Sequence, residues 1–229
     1  MLTKKSIVCL ANSSMLGGRC IAGKELISNK PARWIRVVGK VGENGGVPWR
    51  QFTPIRLLDI IDLPLDKPVP NEHQPGEHQK ENWLLDTTAR PLWEGGNRSW
   101  NAIAKLVDYP VEQLWINGYD TKHGKNDFVP YCQIRKMKVN SSLRFIRVEE
   151  LTLSTQGRKV LGHFQHNGEE YLLKVTDPDY KTPNSKGFAR NKKNRKFFLT
   201  VSLAGRLPPI DICSKLIAAI ILCDKINGI

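Results

Sequence analysis

The stretch RKVLGHFQHNGEEYLLKVTDP, residues 158–178, holds two runs of alternating apolar and polar residues on either side of Asn167-Gly168. Asn-Gly suits a two-residue type I′ turn, because both of its central positions need a left-handed backbone. Folding there sets His166 opposite Glu169, Phe164 opposite Tyr171 and Val160 opposite Val175. An aromatic pair across such a ladder adds a fraction of a kcal/mol up to about 1. The stretch therefore reads as a β-hairpin, and it sets the character of its surroundings.

Strand-like runs continue on both sides of it. Upstream lie KSIVCLA (5–11), RWIRVV (33–38), RLLDIIDL (56–63, closed by Pro64), ENWLLD (81–86), CQIRKMKV (132–139) and LRFIRVEELTLS (143–154); downstream lies FFLTVSL (197–203). The pattern RSWNAIAKLVD (98–108) spaces Trp100, Ile103 and Val107 along one helical face, with Ser99 placed to cap it. Residues 65–80 and 118–130 read as exposed, turn-rich loops. The terminal PIDICSKLIAAIILCDKI predicts an apolar helix capped by Asp211 and packed against the sheets. The fold class is thus mainly β with a few helices, and short strands with frequent turns favour small barrels. A split near residue 138 gives blocks 1–138 and 139–229, each of barrel size.

The chain has 229 residues, 40% hydrophobic and 25% charged, which is the composition of a folded protein. Its net charge is +13, and both blocks share the excess. A balance this basic points to a polyanionic partner. The five cysteines are widely spaced and include no CxxC, which argues against a disulfide framework or a structural zinc site. The N-terminal MLTKKSIVCLANSS lacks a signal-peptide pattern, and KLIAAIILC (215–223) is too short to span a bilayer, so the expected location is cytoplasmic.

Cations cluster in YKTPNSKGFARNKKNRK (180–196). Lys186, Arg190, Lys192, Lys193, Arg195 and Lys196 surround Phe188, with no acidic residue among them. Phosphates select clustered cations and unpaired bases select aromatic faces, so this segment is the leading nucleic-acid candidate. Arg33, Trp34 and Arg36 form a second candidate surface; the competing reading places Trp34 in the core and pairs the arginines with Asp59 or Asp62. The third candidate is the loop Ser13–Cys20, with Ser13, Ser14, Gly17, Gly18, Arg19 and Cys20. Its glycines let backbone N–H groups approach an anion, yet it is neither a Walker A loop nor a nucleophile elbow. It is the basis of an alternative reading, a nucleotide sensor or enzyme in which Ser14, Arg19 and a distant carboxylate or Lys174 converge. His163 and His166 lie three apart on a strand and face opposite sides, a poor metal pair. His73 and His78, beside Glu72, Glu77 and Glu81, read as loop surface. No cofactor is implied and no catalytic residue is singled out.

KKSIVCLANSSMLGGRCIAGKEL, RWIRVV, LLDIIDLP, HQKENWLLD, YLLKVTDP and SKLIAAII occur in this order along the chain. Together they resemble the dual OB-containing domain family of bacterial proteins associated with anti-phage conflict. The resemblance implies two packed OB-like barrels and a role in recognising nucleic acid or nucleotides, with Arg19 facing the ligand groove. The expected function is a non-enzymatic module for single-stranded DNA or RNA, with duplex as a further option, acting as a recognition or adaptor subunit among protein partners of a defence complex. A subunit docking on an acidic protein is the other alternative.

Overall fold

The computed structural model describes residues 3–15, 18–39, 46–47, 52, 54–69, 78–97, 99–109, 113–137, 139–185, 187 and 196–223. The chain divides into two compact units, Met1–Leu106 with Asn140–Ser142, and Val107–Val139 with Leu143–Ile229. The chain thus leaves the first unit after Leu106 and returns to it briefly at Asn140–Ser142. The strands are 13 and the helices short, so the mainly β expectation stands among the described residues.

In the first unit, β1 (Thr3–Met15), β2 (Gly18–Ile27) and β3 (Lys30–Val38) form an antiparallel meander. β3 then pairs in parallel with β5 (Asn82–Leu85), which pairs with β4 (Ile60–Pro68), which returns to β1. The ring β1-β2-β3-β5-β4-β1 is a closed five-stranded barrel. Ile7, Cys9, Ile21, Ile35, Val37, Ile61, Leu63 and Leu85 fill it. Closure makes β1 serve two neighbours. Thr3–Val8 pair with β4 and Ile7–Met15 with β2, and the register shifts between Cys9 and Ala11. A bulge of this kind bends a strand. Gly23 lies opposite the bend, paired with Cys9, and a Cβ there would overlap the Val8 carbonyl oxygen. A short edge strand β6 (Leu92–Glu94) adds to β4. Proline at 64 does not close β4; its carbonyl accepts a hydrogen bond from the Asp86 N–H at 3.0 Å and the strand runs on to Pro68.

The second unit repeats this path with one break. β8 (Leu143–Val148) pairs with β12 (Lys196–Leu203), and β9 (Thr152–Gln156) pairs with β10 (Lys159–His166). β8 and β9 are consecutive in the chain and take the two halves of the role of β1. β10 continues to β11 (Glu169–Val175), β11 pairs in parallel with β13 (Ile212–Cys223), and β13 pairs with β12. The hairpin has the expected register, with His166 opposite Glu169 and Phe164 opposite Tyr171. Its rings stack at 5.2 Å, and Asn167 and Gly168 have φ of 51° and 80°. β7 (Phe128–Pro130) pairs with β13, and Lys125 exchanges backbone hydrogen bonds with Leu172, so this segment fills the space between β11 and β13.

Three local expectations are corrected. Residues 212–223 are a strand, not a C-terminal helix, because β7, β11 and β12 supply ladder partners and residues 217–221 are buried on both faces. A continuous apolar run on a central strand has no period-two signature to separate it from a helix. The strand expected over 132–139 is replaced at its start by a one-turn helix, α2 (Tyr131–Ile134). The 65–80 segment is not wholly exposed: β4 extends through Pro68, and His78 and Gln79 are buried. The helix expected over 98–108 is present as α1 (Trp100–Ala104), with the Ser99 hydroxyl accepting from the Ala102 N–H at 3.3 Å. No described helix is long and apolar enough to cross a membrane.

Lys215 lies fully buried on β13. Its Nζ donates to the Ile116 carbonyl at 2.7 Å and to Asn117 Oδ1 at 3.0 Å, 5.5 Å from the Tyr171 ring centroid. Burial pulls its pKa down from 10.5 to about 7, against the pull of Asp127, Glu169 and Asp120. Between those values the unfolded chain holds a proton that the folded chain does not, so stability rises with pH across that window. Relative to Lys215→Met, the natural protein should gain at most about 1.4 kcal/mol per pH unit between pH 7 and 10, read from urea denaturation; parallel pH curves would refute the shifted lysine. Gly23→Ala should cost about 2–4 kcal/mol by the same measurement, since strand backbone must move to admit the methyl group.

Candidate nucleic-acid interface

The outer faces of the two meanders differ in what they leave to solvent. On β2 and β3, Ala22 is opposite Arg36 and Lys24 opposite Trp34. These alternate with core residues such as Ile21 and Ile35, so they project outward. All four are nonetheless buried: Arg36 is 3% exposed, Trp34 6% and Lys24 8%. Arg36 Nη2 donates to Ser142 Oγ at 2.7 Å and lies 3.2 Å from Glu81 Oε1. The Ser142 hydroxyl and N–H both donate to the Glu81 carboxylate. Lys24 Nζ stands 5.8 Å from the Trp34 ring centroid.

The second sequence candidate is thus split. Trp34 and Arg36 belong to a buried polar network. Arg33 remains exposed at its side chain and binds Glu25 Oε2 at 2.9 Å. Lys5 binds the other Glu25 oxygen at 2.6 Å, and both cations flank the Trp83 ring, at 4.7 Å for Lys5 and 5.9 Å for Arg33. Burial raises the Glu25 pKa, but hydrogen bonds from Lys5 and Arg33 outweigh it and hold the carboxyl below its ordinary range. Glu25 and Glu81 thus stand beside the two arginines, while Asp62 pairs with Lys4 and accepts from the Ser6 hydroxyl, and Asp59 accepts from the Arg56 N–H.

The Ser13–Cys20 stretch is the end of the β1–β2 hairpin, not an open loop. Ser13 is opposite Cys20, Ser14 opposite Arg19 and Met15 opposite Gly18. Ser13 and Arg19 are buried, and Arg19 Nη1 donates to the Asn12 carbonyl at 3.2 Å. Gly18 sits against the Val47 carbonyl. Arg19 therefore faces protein backbone. Ser14 and Arg19 belong to the first unit and Lys174 to the second. Gly17, Lys186, Phe188, Arg190, Lys192, Lys193 and Arg195 lie outside the described residues, as do Glu72, His73 and Glu77. Lys196 opens β12 and lies 3.5 Å from Glu149.

On β10 and β11 the outward positions are open. Val160, Phe164, Tyr171, Leu173 and Val175 face the core, leaving Lys159, Leu161, His163 and Gln165 on one strand and Glu170, Leu172 and Lys174 on the next. Leu161 is opposite Lys174, His163 opposite Leu172, and Gln165 opposite Glu170. Lys159, Gln165 and Lys174 are exposed. His163 Nε2 meets Glu170 Oε1 at 2.7 Å. The same alternation that sets the core residues of the hairpin also sets these outward ones.

A family model described as the dual OB-containing domain matches residues 5–220. No curated protein matches the chain. Among solved structures, a murine DNA-binding protein bound with double-stranded DNA aligns over 97% of both chains at 9% identity and a TM-score of 0.39. A tetrameric HIN2 structure aligns over 97% of this chain and 94% of its own at 7% identity and a TM-score of 0.35.

Glu81→Gln should destabilise the protein by about 3 kcal/mol, because it removes the carboxylate charge beside the buried Arg36 guanidinium. Chemical denaturation measures this, and a change below 0.5 kcal/mol, about the size of an ordinary surface substitution, would show that the network contributes little.

Proposed function

The chain belongs to the dual OB-containing domain family, and from that premise we propose that it is a nucleic-acid-binding module whose contact face is the outer surface of β10 and β11. OB barrels hold oligonucleotides on the face of their second and third strands. In this chain the first barrel's face is buried and the second sheet's is exposed. That contrast carries the reading. Lys159 and Lys174 supply cations for phosphate, while Leu161, Leu172 and the His163 ring offer a strip against which unpaired bases can lie. The net charge of +13 and the basic 180–196 segment, which connects β11 to β12, strengthen the attraction for a polyanion.

Single-stranded DNA or RNA is favoured over duplex because Leu161, Leu172 and the His163 ring offer surface to bases that a duplex keeps stacked. We extend the reading to a recognition or adaptor subunit of a bacterial anti-phage complex, the setting that the family resemblance suggests. Cysteines 9 and 213 are held as unreactive thiols, since burial pushes each pKa up to about 12, so neither supports nucleophilic chemistry.

Fluorescence anisotropy with labelled single-stranded DNA, duplex DNA and RNA over a salt series tests the proposal. Lys159→Glu with Lys174→Glu should weaken single-strand binding by at least about tenfold and lower the salt slope by about 2. Changing Lys192, Lys193, Arg195 and Lys196 to Glu should weaken it further. Unchanged affinity in the first variant would remove the platform from the interface, and no binding at low salt would shift attention to an acidic protein partner.

A further inference from the structure

A cavity of about 590 Å³ opens where the first strand of the second sheet is interrupted. Ligand sites run from roughly 300 to 1,000 Å³, so its size is adequate for a small planar group. The cavity is lined by the end of β8, residues 149 and 150 of the break, the start of β9 and the tip of the β10–β11 hairpin. Its origin is topological. The β10–β9 ladder ends at His163 opposite Thr152, and β8 pairs with β12. Beyond His163, β10 has a ladder partner only on its β11 side among the described residues.

The charges around the cavity select among ligands. Arg147 is the one permanent cation lining it, and its Nη2 is held by Glu149 at 2.6 Å. Glu149 also takes Lys196 at 3.5 Å. Glu150 is exposed and pairs with none of the described residues. Two carboxylates against one engaged guanidinium repel a free phosphate. They suit a neutral planar group that offers N–H donors. Thr152 and Gln165 add side chains that both donate and accept.

We infer that this cavity takes a single unstacked nucleobase bearing an exocyclic amine, with Glu150 accepting from that amine. The inference rests on the nucleic-acid reading and deepens it, since Gln165 and His163 belong both to the cavity and to the outer face of β10. A strand crossing that face would leave its phosphates with Lys159 and Lys174 and turn one base into the break. Carboxylates accept from the amine of cytosine. Uracil places a carbonyl at the same position, where Glu150 would repel it. Selection against uracil and thymine is the consequence.

The test titrates the full-length protein with cytidine and with uridine, which differ at that amine, and follows amide resonances of Thr152, Gln165 and Gly168 by NMR. Cytidine should shift them and bind about tenfold tighter than uridine, a difference within the range of one good base contact. Glu150→Gln, at an exposed position, should keep the fold and erase the preference. Equal response to both nucleosides, or none at these residues, overturns the inference. Labelled oligonucleotides run in parallel separate the two readings. Oligonucleotide binding without nucleoside shifts refutes the cavity assignment and leaves the platform standing. Cytidine-selective shifts without oligonucleotide binding refute the platform and support the cavity.

Discussion

One strand must hydrogen-bond to two neighbours that lie on different sides of a barrel, and the rest of the architecture follows from how the chain meets that demand. A straight strand cannot curl far enough; it has to bend. In the first unit a bulge between Cys9 and Ala11 makes the bend, and Gly23 gives the backbones room to approach there. The ladder survives and the barrel closes. In the second unit the corresponding strand stops at Val148 and restarts at Thr152. Leu151 still reaches the core, but Glu149 and Glu150 leave the ladder. The break ends the β9 ladder at His163, and a polar cavity opens there beside the exposed meander.

Burial, more than charge, separates the two meanders. The first unit carries a lysine, a tryptophan and an arginine on its outer face, the residue types that nucleic-acid surfaces use. There they are withdrawn from solvent and held by Glu81, Ser142 and each other. An ion pair in such a place does little for net stability, yet losing one partner is costly. The second sheet carries a sparser set of cations on an open face. The same logic appears at Lys215, where a lysine inside the core is tolerated because the Ile116 carbonyl and Asn117 receive its hydrogen bonds. Tyr171 joins this network, its hydroxyl accepting from the Leu114 N–H and the Asn117 amide.

Local chemistry was readable wherever a short segment contains its own reason to fold. Asn167-Gly168 fixes a turn, the turn fixes a register, and the register places Phe164 on Tyr171. Ser99 caps the helix that starts at the next residue by accepting from the Ala102 N–H. The sequence alone determined these features, the mainly β class, the basic excess and the order of motifs that marks the family. Tertiary structure decided the rest. Arg36 pairs with Asn82 in parallel, and Lys174 with Leu216, across distances along the chain that no periodicity records. Those pairings turn residues 212–223 into a strand although their apolar spacing suits a helix equally well. They also bury Arg19, Trp34 and Arg36 and leave Lys159 and Lys174 in solvent. A side chain's type and alternation are local properties, whereas its exposure depends on what the folded chain lays over it.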